Sequence, residues 1–220
     1  MAIKSSRIEI ILIAIIATLF IIGLVSYPAM PDQMISHWDA NGQANGSASK
    51  LMGVFFFPVI MLVLFLLFFA IPRIDPLREN IRQFRNAYEK FILIFFLIMA
   101  ALYVDTLLWN VGIHLGMNSI VSAGLALLIY ALGSLCKNAK RNYFIGIRTP
   151  WTLNSDSVWE KTHALGAKLF HATAVIIAFG IPFPNLLFWL LVIPTALVVL
   201  YLLVYSYVEY EREQRTVMNR

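Results

Sequence analysis

Six long apolar runs, separated by polar turns and loops, constrain this chain more than any motif within it. They cover residues 8–25, 51–71, 91–113, 119–136, 163–181 and 186–205. A helix needs about 20 mostly apolar residues to cross about 30 Å of hydrocarbon. Each run meets or approaches that length; 119–136 is the shortest and 163–181 the most polar. Composition agrees, with 60% of residues hydrophobic and 13% charged and a mean hydropathy of +0.76. Soluble domains carry about a quarter charged residues, and a core of this size cannot hide so much apolar surface. The expected fold is all-α: a polytopic membrane protein of six transmembrane helices, multi-pass in the cell membrane. A disordered chain is excluded, and a secreted one is disfavoured. The one cysteine, Cys136, leaves no route to an intrachain disulfide or a cysteine-based zinc site.

Lys4 and Arg7 precede the first run as they would in a signal peptide. At about 18 residues, however, the run exceeds a secretory h-region, and no small-x-small cleavage site follows it. It reads as a retained helix. Basic residues fix the expected orientation. Of 17 Lys and Arg, all but Lys50 and Lys168 fall in the two tails and in loops 72–90 and 137–162. These segments share one side of a six-span chain, so both termini are expected in the cytoplasm. The same placement disposes of direct nucleic-acid binding: the charge faces anionic headgroups and forms no stripe with interleaved aromatics.

The outer loop, 28–50, contains Asn41-Gly42 and Asn45-Gly46, and Asn-Gly supplies the positive φ of tight turns. Residues 34–38 read as an extended piece entering the first turn, with Trp38 at headgroup level. His37 and Asp39 do not amount to a metal site, because two side chains are too few. The inner loop, 137–162, is denser in aromatic and β-branched residues. Thr149-Pro150 suits an N-cap followed by proline at the first helical position, and Ser157-x-x-Glu160 suits a capping box. That places the fifth helix's start near Val158, with Trp151 and Trp159 among the headgroups and Arg148 reaching a phosphate or carboxylate. Its bland reading is an aromatic-anchored interfacial turn; its functional reading is a landing surface for a cytoplasmic partner.

Charged residues inside a span are functional candidates by default. Asp105 sits about two-thirds of the way across the third run, and Lys168 and His171 share a face early in the fifth. Depth favours Glu9 near Lys168. It disfavours an Asp105–His171 relay, since those two differ by about 10 Å at helical rise. The plainer expectation for Asp105 is a hydrogen bond to Tyr103, Asn110 or a neighbouring helix. No nucleophile-plus-base constellation, HExxH or phosphate-cradling glycine loop occurs.

The run Asn142-Tyr143-Phe144-Ile145-Gly146-Ile147-Arg148-Thr149-Pro150-Trp151-Thr152-Leu153, followed by Trp159 and His163, resembles the signature of the SdpI family. The outer pattern His37-Trp38-Asp39 with Gly42 and Gly46 resembles the small N-terminal domain of unknown function that often accompanies it. One departure is Ser36, where that pattern often has proline. The resemblance implies a two-span unit at 1–90 and a four-span unit at 91–220. It also implies immunity to a secreted hydrophobic peptide toxin, with a helix-turn-helix repressor as possible cytoplasmic partner. Neither a cofactor nor catalysis is implied. His37, Trp38, Asp39, Gly42 and Gly46 would then face the ligand. Asn142, Phe144, Gly146, Arg148, Thr149, Pro150, Trp151, Trp159 and His163 would form the inner motif. Two alternatives are a transporter of a peptide or hydrophobic substrate, resting on Asp105, and a membrane enzyme working at headgroup level through His163, His171 or Arg148.

Overall fold

The computed structural model describes residues 7–40 and 42–218; Lys4, Asn41 and Arg220, invoked above, lie outside them. Among the described residues, six helices are long and apolar enough to span a bilayer. They are α1 (Arg7–Ser26), α2 (Lys50–Ile74), α4 (Arg85–Asn110), α5 (Met117–Asn138), α7 (Asp156–Phe179) and α8 (Pro184–Met218), with short helices α3 (Arg78–Gln83) and α6 (Pro150–Asn154) between them. The protein is a multi-pass membrane protein. Large apolar side chains such as Leu24, Val25, Leu66, Phe179 and Leu197 stand exposed along these helices. In water, so much open apolar surface would be a liability; in lipid it needs no cover.

Several helices outrun their apolar cores. Helix α4 begins six residues before the hydrophobic run, α7 seven before it, and α8 continues to Met218. Hydropathy marks where lipid is, whereas hydrogen bonding lets a helix continue into the headgroups and beyond. The largest buried cluster unites α1, α2, α3 and α4 through Leu12, Ile16, Val54, Met61, Ile81, Ile92, Phe96 and Tyr103, and reaches Ile145 and Trp159. A second buries Cys136, Ala167, Phe170 and Leu202 between α5, α7 and α8.

The molecule has two unlike ends. At one, residues 33–49 form an antiparallel hairpin, β1 (Gln33–Trp38) and β2 (Ala44–Ser49), interrupted by a bulge near His37. This adds a small β element to an otherwise helical fold. The extended piece expected at 34–38 is β1. The second Asn-Gly pair, however, makes no turn: Asn45 and Gly46 lie within β2. Gly46 faces His37, and a Cβ there would approach the His37 Cβ to 3.0 Å. The cross-strand partner, not the dipeptide's turn preference, decides its conformation. The turn lies at Gly42, with φ +78; its N–H donates to Asp39 O (2.9 Å) and Gln43 N–H to Asp39 Oδ1 (2.9 Å). At the opposite end gather both inner loops, α3, α6 and nearly all the arginines.

Candidate functional site

At the hairpin end, β1 is laid onto the helices by three contacts. Met34 is fully buried against Gly53, where a Cβ would come within 2.7 Å of its sulfur, so only glycine permits this approach. The Asn110 side chain clasps one residue of the strand: Ile35 N–H donates to Oδ1 (2.7 Å), and Nδ2 donates to Ile35 O (2.9 Å) and to Thr106 O (2.9 Å). Trp38 meets Trp109 edge-on at 5.6 Å, and Trp109 stacks on His114 at 4.1 Å. Trp38 is thus half-buried against α4. His37 remains exposed, its Nδ1 2.6 Å from Asn45 Oδ1.

Beneath this hairpin opens a crevice of about 320 Å³. Its roof is Ser36 to Ala40, and its walls come from Phe57 of α2, Leu102 and Thr106 of α4, Val121 and Leu125 of α5, and Leu187 and Leu191 of α8. The lining is mostly apolar, with a few polar groups at the mouth, as in small-ligand sites generally. Three of the five outer-motif residues, His37, Trp38 and Asp39, line it. Gly42 shapes the turn above it: a Cβ there would strike the Asn118 side chain at 2.6 Å.

The inner signature turns its polar groups inward. Asn142 is 0% exposed and uses its whole amide. Its Nδ2 donates to Lys140 O and Ile145 O, while Phe144 N–H and Ile145 N–H donate to Oδ1, all within 2.6–2.9 Å. Gly146, with φ +111, passes so close to the His163 ring that no Cβ fits between them. His163 Nδ1–H donates to Trp159 O and its Nε2 accepts from Ile147 N–H, both at 2.9 Å. Both ring nitrogens are therefore committed to the backbone, which fixes one neutral tautomer. Thr149 caps α6 in a reciprocal box with Thr152 and donates to Ser206 of α8 at 3.1 Å. Asp75 joins the two inner loops, accepting from Leu77 N–H (2.6 Å) and Tyr143 N–H (2.9 Å).

Several expectations for this end are corrected. Trp159 is 1% exposed, stacks on His163 at 4.0 Å and donates to Ala139 O at 2.8 Å. It is an internal strut, not a headgroup anchor, because α5 packs along α7 there. Arg148 donates to Tyr143 O at 2.7 Å. Helix α7 starts at Asp156 with Ser155, not Ser157, as its cap: Ser155 accepts from Val158 N–H at 3.2 Å. Only one residue separates α6 from α7, so that residue alone can take the extended conformation an N-cap requires. Proline at the start of α6 behaves as expected. Phe144 and Pro150 are exposed, and Trp151 packs half-buried against Tyr207.

Glu9 pairs with Arg85 of α4 (3.8 Å), not with Lys168, which is exposed on α7. His171 stacks on Tyr130 at 4.4 Å, with its Nε2 3.1 Å from Ser134 Oγ. The partners expected for Asp105 are absent. Asn110 is engaged with Ile35 and Thr106, and the carboxylate, 1% exposed, has no hydrogen-bond partner among the described residues. Nor, among those residues, do three metal-ligating side chains converge anywhere. What sequence reasoning missed is the crevice wall, because four helices contribute to it and none carries a local signal.

The arrangement is that of a polytopic helical membrane protein with a hairpin-roofed crevice at one end and a self-bonded loop platform at the other. Residues 138–206 match the SdpI/YfhL protein family, and residues 14–62 match a domain of unknown function, DUF1648. The chain is similar to the Immunity protein SdpI of Bacillus subtilis (strain 168), with 27% identity over 170 residues, covering 77% of this chain and 79% of that protein. No solved structure matches it.

Proposed function

We propose that this chain is a membrane immunity protein protecting its cell from a secreted hydrophobic peptide. The likeness to an immunity protein over most of both chains carries the reading. The crevice supplies a place for the ligand: it is apolar enough for a peptide side chain and roofed by His37 to Asp39. Both termini face the cytoplasm in this reading, so the hairpin meets the peptide from outside. A two-span unit, 1–90, carries the sensor hairpin, and a four-span unit, 91–220, carries the signature loop. Protection by binding requires no bond to be made or broken. His163, His171 and Arg148 hold separate partners, which disfavours the enzyme alternative.

The test is survival of a toxin-sensitive bacterium expressing the chain and exposed to the cognate peptide. Wild type should restore growth, whereas Val121→Trp, which fills the crevice, should lose at least tenfold in survival while remaining membrane-inserted. Equal survival with and without the chain, at verified expression, overturns the immunity reading.

A signalling role is the finer part of the proposal. Peptide binding would shift the bundle between two arrangements it binds with different affinity, and the basic end would recruit a helix-turn-helix repressor. Tyr143, Phe144 and Arg148 stand exposed there and are the natural contacts. Asp105 supports a second reading, proton-coupled transport of the peptide, because a buried carboxylate without partners is costly unless it works. Asp105→Asn should abolish protection if transport supplies it and leave binding immunity intact.

A further inference from the structure

A second cavity lies at the basic end, about 150 Å³, enclosed by the start of α1, the end of α2, α3 and the first two turns of α4. Its rim carries Arg73, Arg78, Arg82 and Arg85 against two carboxylates, Glu9 and Glu89. Its floor is apolar, formed by Phe69, Ile81 and Ile92. The arginines differ in what they already hold. Arg82 is paired with Glu79 at 2.7 Å, and Arg85 with Glu89 at 2.7 Å and Glu9 at 3.8 Å. Among the described residues Arg73 is bonded only to a neutral group, the Phe69 carbonyl. Arg78's guanidinium has neither a hydrogen bond nor an ion pair among the described residues. Two cations thus stand without a counter-charge beside an apolar floor.

The depth of the cavity says what would meet it. Arg85 to Ile92 span about 10 Å of α4 at helical rise, where the helix passes from charged to apolar residues. That is the boundary between headgroup and acyl chain. We infer that this cavity binds the headgroup of an anionic phospholipid in the adjoining leaflet. Arg73 and Arg78 take the phosphate, and the floor of Phe69, Ile81 and Ile92 takes the upper acyl chain. Arginine suits the role because its planar guanidinium offers phosphate two parallel donors, and basic pockets at helix ends are apt for anionic headgroups. A soluble phosphate would satisfy the rim but leave the floor empty, so the two sources differ in their use of the apolar half.

Native mass spectrometry of the detergent-purified full chain, titrated with phosphatidylglycerol, tests this. Wild type should bind one phosphatidylglycerol at least tenfold more tightly than phosphatidylcholine, and millimolar glycerol 3-phosphate should not displace it. Arg78→Gln and the double variant Arg73→Gln/Arg78→Gln should lose that preference. Lys90→Gln, a nearby exposed cation outside the cavity, should keep it. Thermal melting in lipid-free detergent checks that each variant folds; should the double variant fail, Arg78→Gln decides alone. Unchanged phosphatidylglycerol preference in a folded Arg78→Gln overturns the inference. So does equal binding of phosphatidylcholine, and so does displacement by glycerol 3-phosphate, which would make this a site for free phosphate.

Discussion

The two motif-bearing loops sit at opposite ends of one bundle and spend their side chains in opposite ways. The inner signature is bonded to itself: Asn142, Thr149, Thr152, Trp159 and His163 are all buried, and each satisfies backbone or hydroxyl groups of its own segment or of the helices it joins. The outer motif leaves His37 exposed and turns Trp38 and Asp39 over a cavity. A long, specific sequence pattern here marks a scaffold, and a short, loose one marks the roof of a crevice. The strength of a motif measures how tightly its residues constrain one another, which is a different quantity from contact with a partner.

Substitutions can break or sharpen that contrast. Gly146→Val should have the largest effect: backbone strain of about 1–3 kcal/mol at positive φ adds to displacement of the His163 ring. Expression should yield little monodisperse protein, and a normal size-exclusion profile with an unchanged Tm would refute the scaffold view. Asn142→Ala should cost about 2–3 kcal/mol, since buried peptide groups lose their partners; the readout is a lowered Tm in detergent. Gly42→Ala at the hairpin turn should cost about 1–2 kcal/mol from the strained φ, with the Asn118 side chain that it would strike displaced. His37→Ala, removing one exposed hydrogen bond, should change stability by less than about 0.5 kcal/mol. Yet it should reduce survival in the protection assay, and a variant that protects as well as wild type would remove His37 from the ligand-facing surface.

The helical architecture was largely legible, because twenty apolar residues in a row have few alternatives and proline after a threonine cap suits the first position of a helix. The ends of the helices were less so. Ser155 and Ser157 look interchangeable as caps in sequence, and only the single-residue junction after Asn154 selects the first. Trp159 reads as interfacial because tryptophan favours that depth in general. Its burial depends on Ala139 arriving from another helix, a contact twenty residues away. Gly146 and His163 likewise stand together only after α7 has docked. At the hairpin, Asn45-Gly46 carries a turn signal that strand pairing overrides. The crevice drew on residues from α2 to α8 with no shared period, so no local reading could have assembled it.

The Asn110 amide has one more mechanical consequence. By meeting both the N–H and the C=O of Ile35, it stands in for a neighbouring strand and rivets the hairpin to α4. Anything that lifts the hairpin must either rupture both bonds or drag that helix along its axis. Helix α4 runs about 39 Å at its 26 residues, and its far end carries Arg85 and Tyr88. The hairpin and the arginine-rimmed cavity thus rest on opposite tips of a single helix.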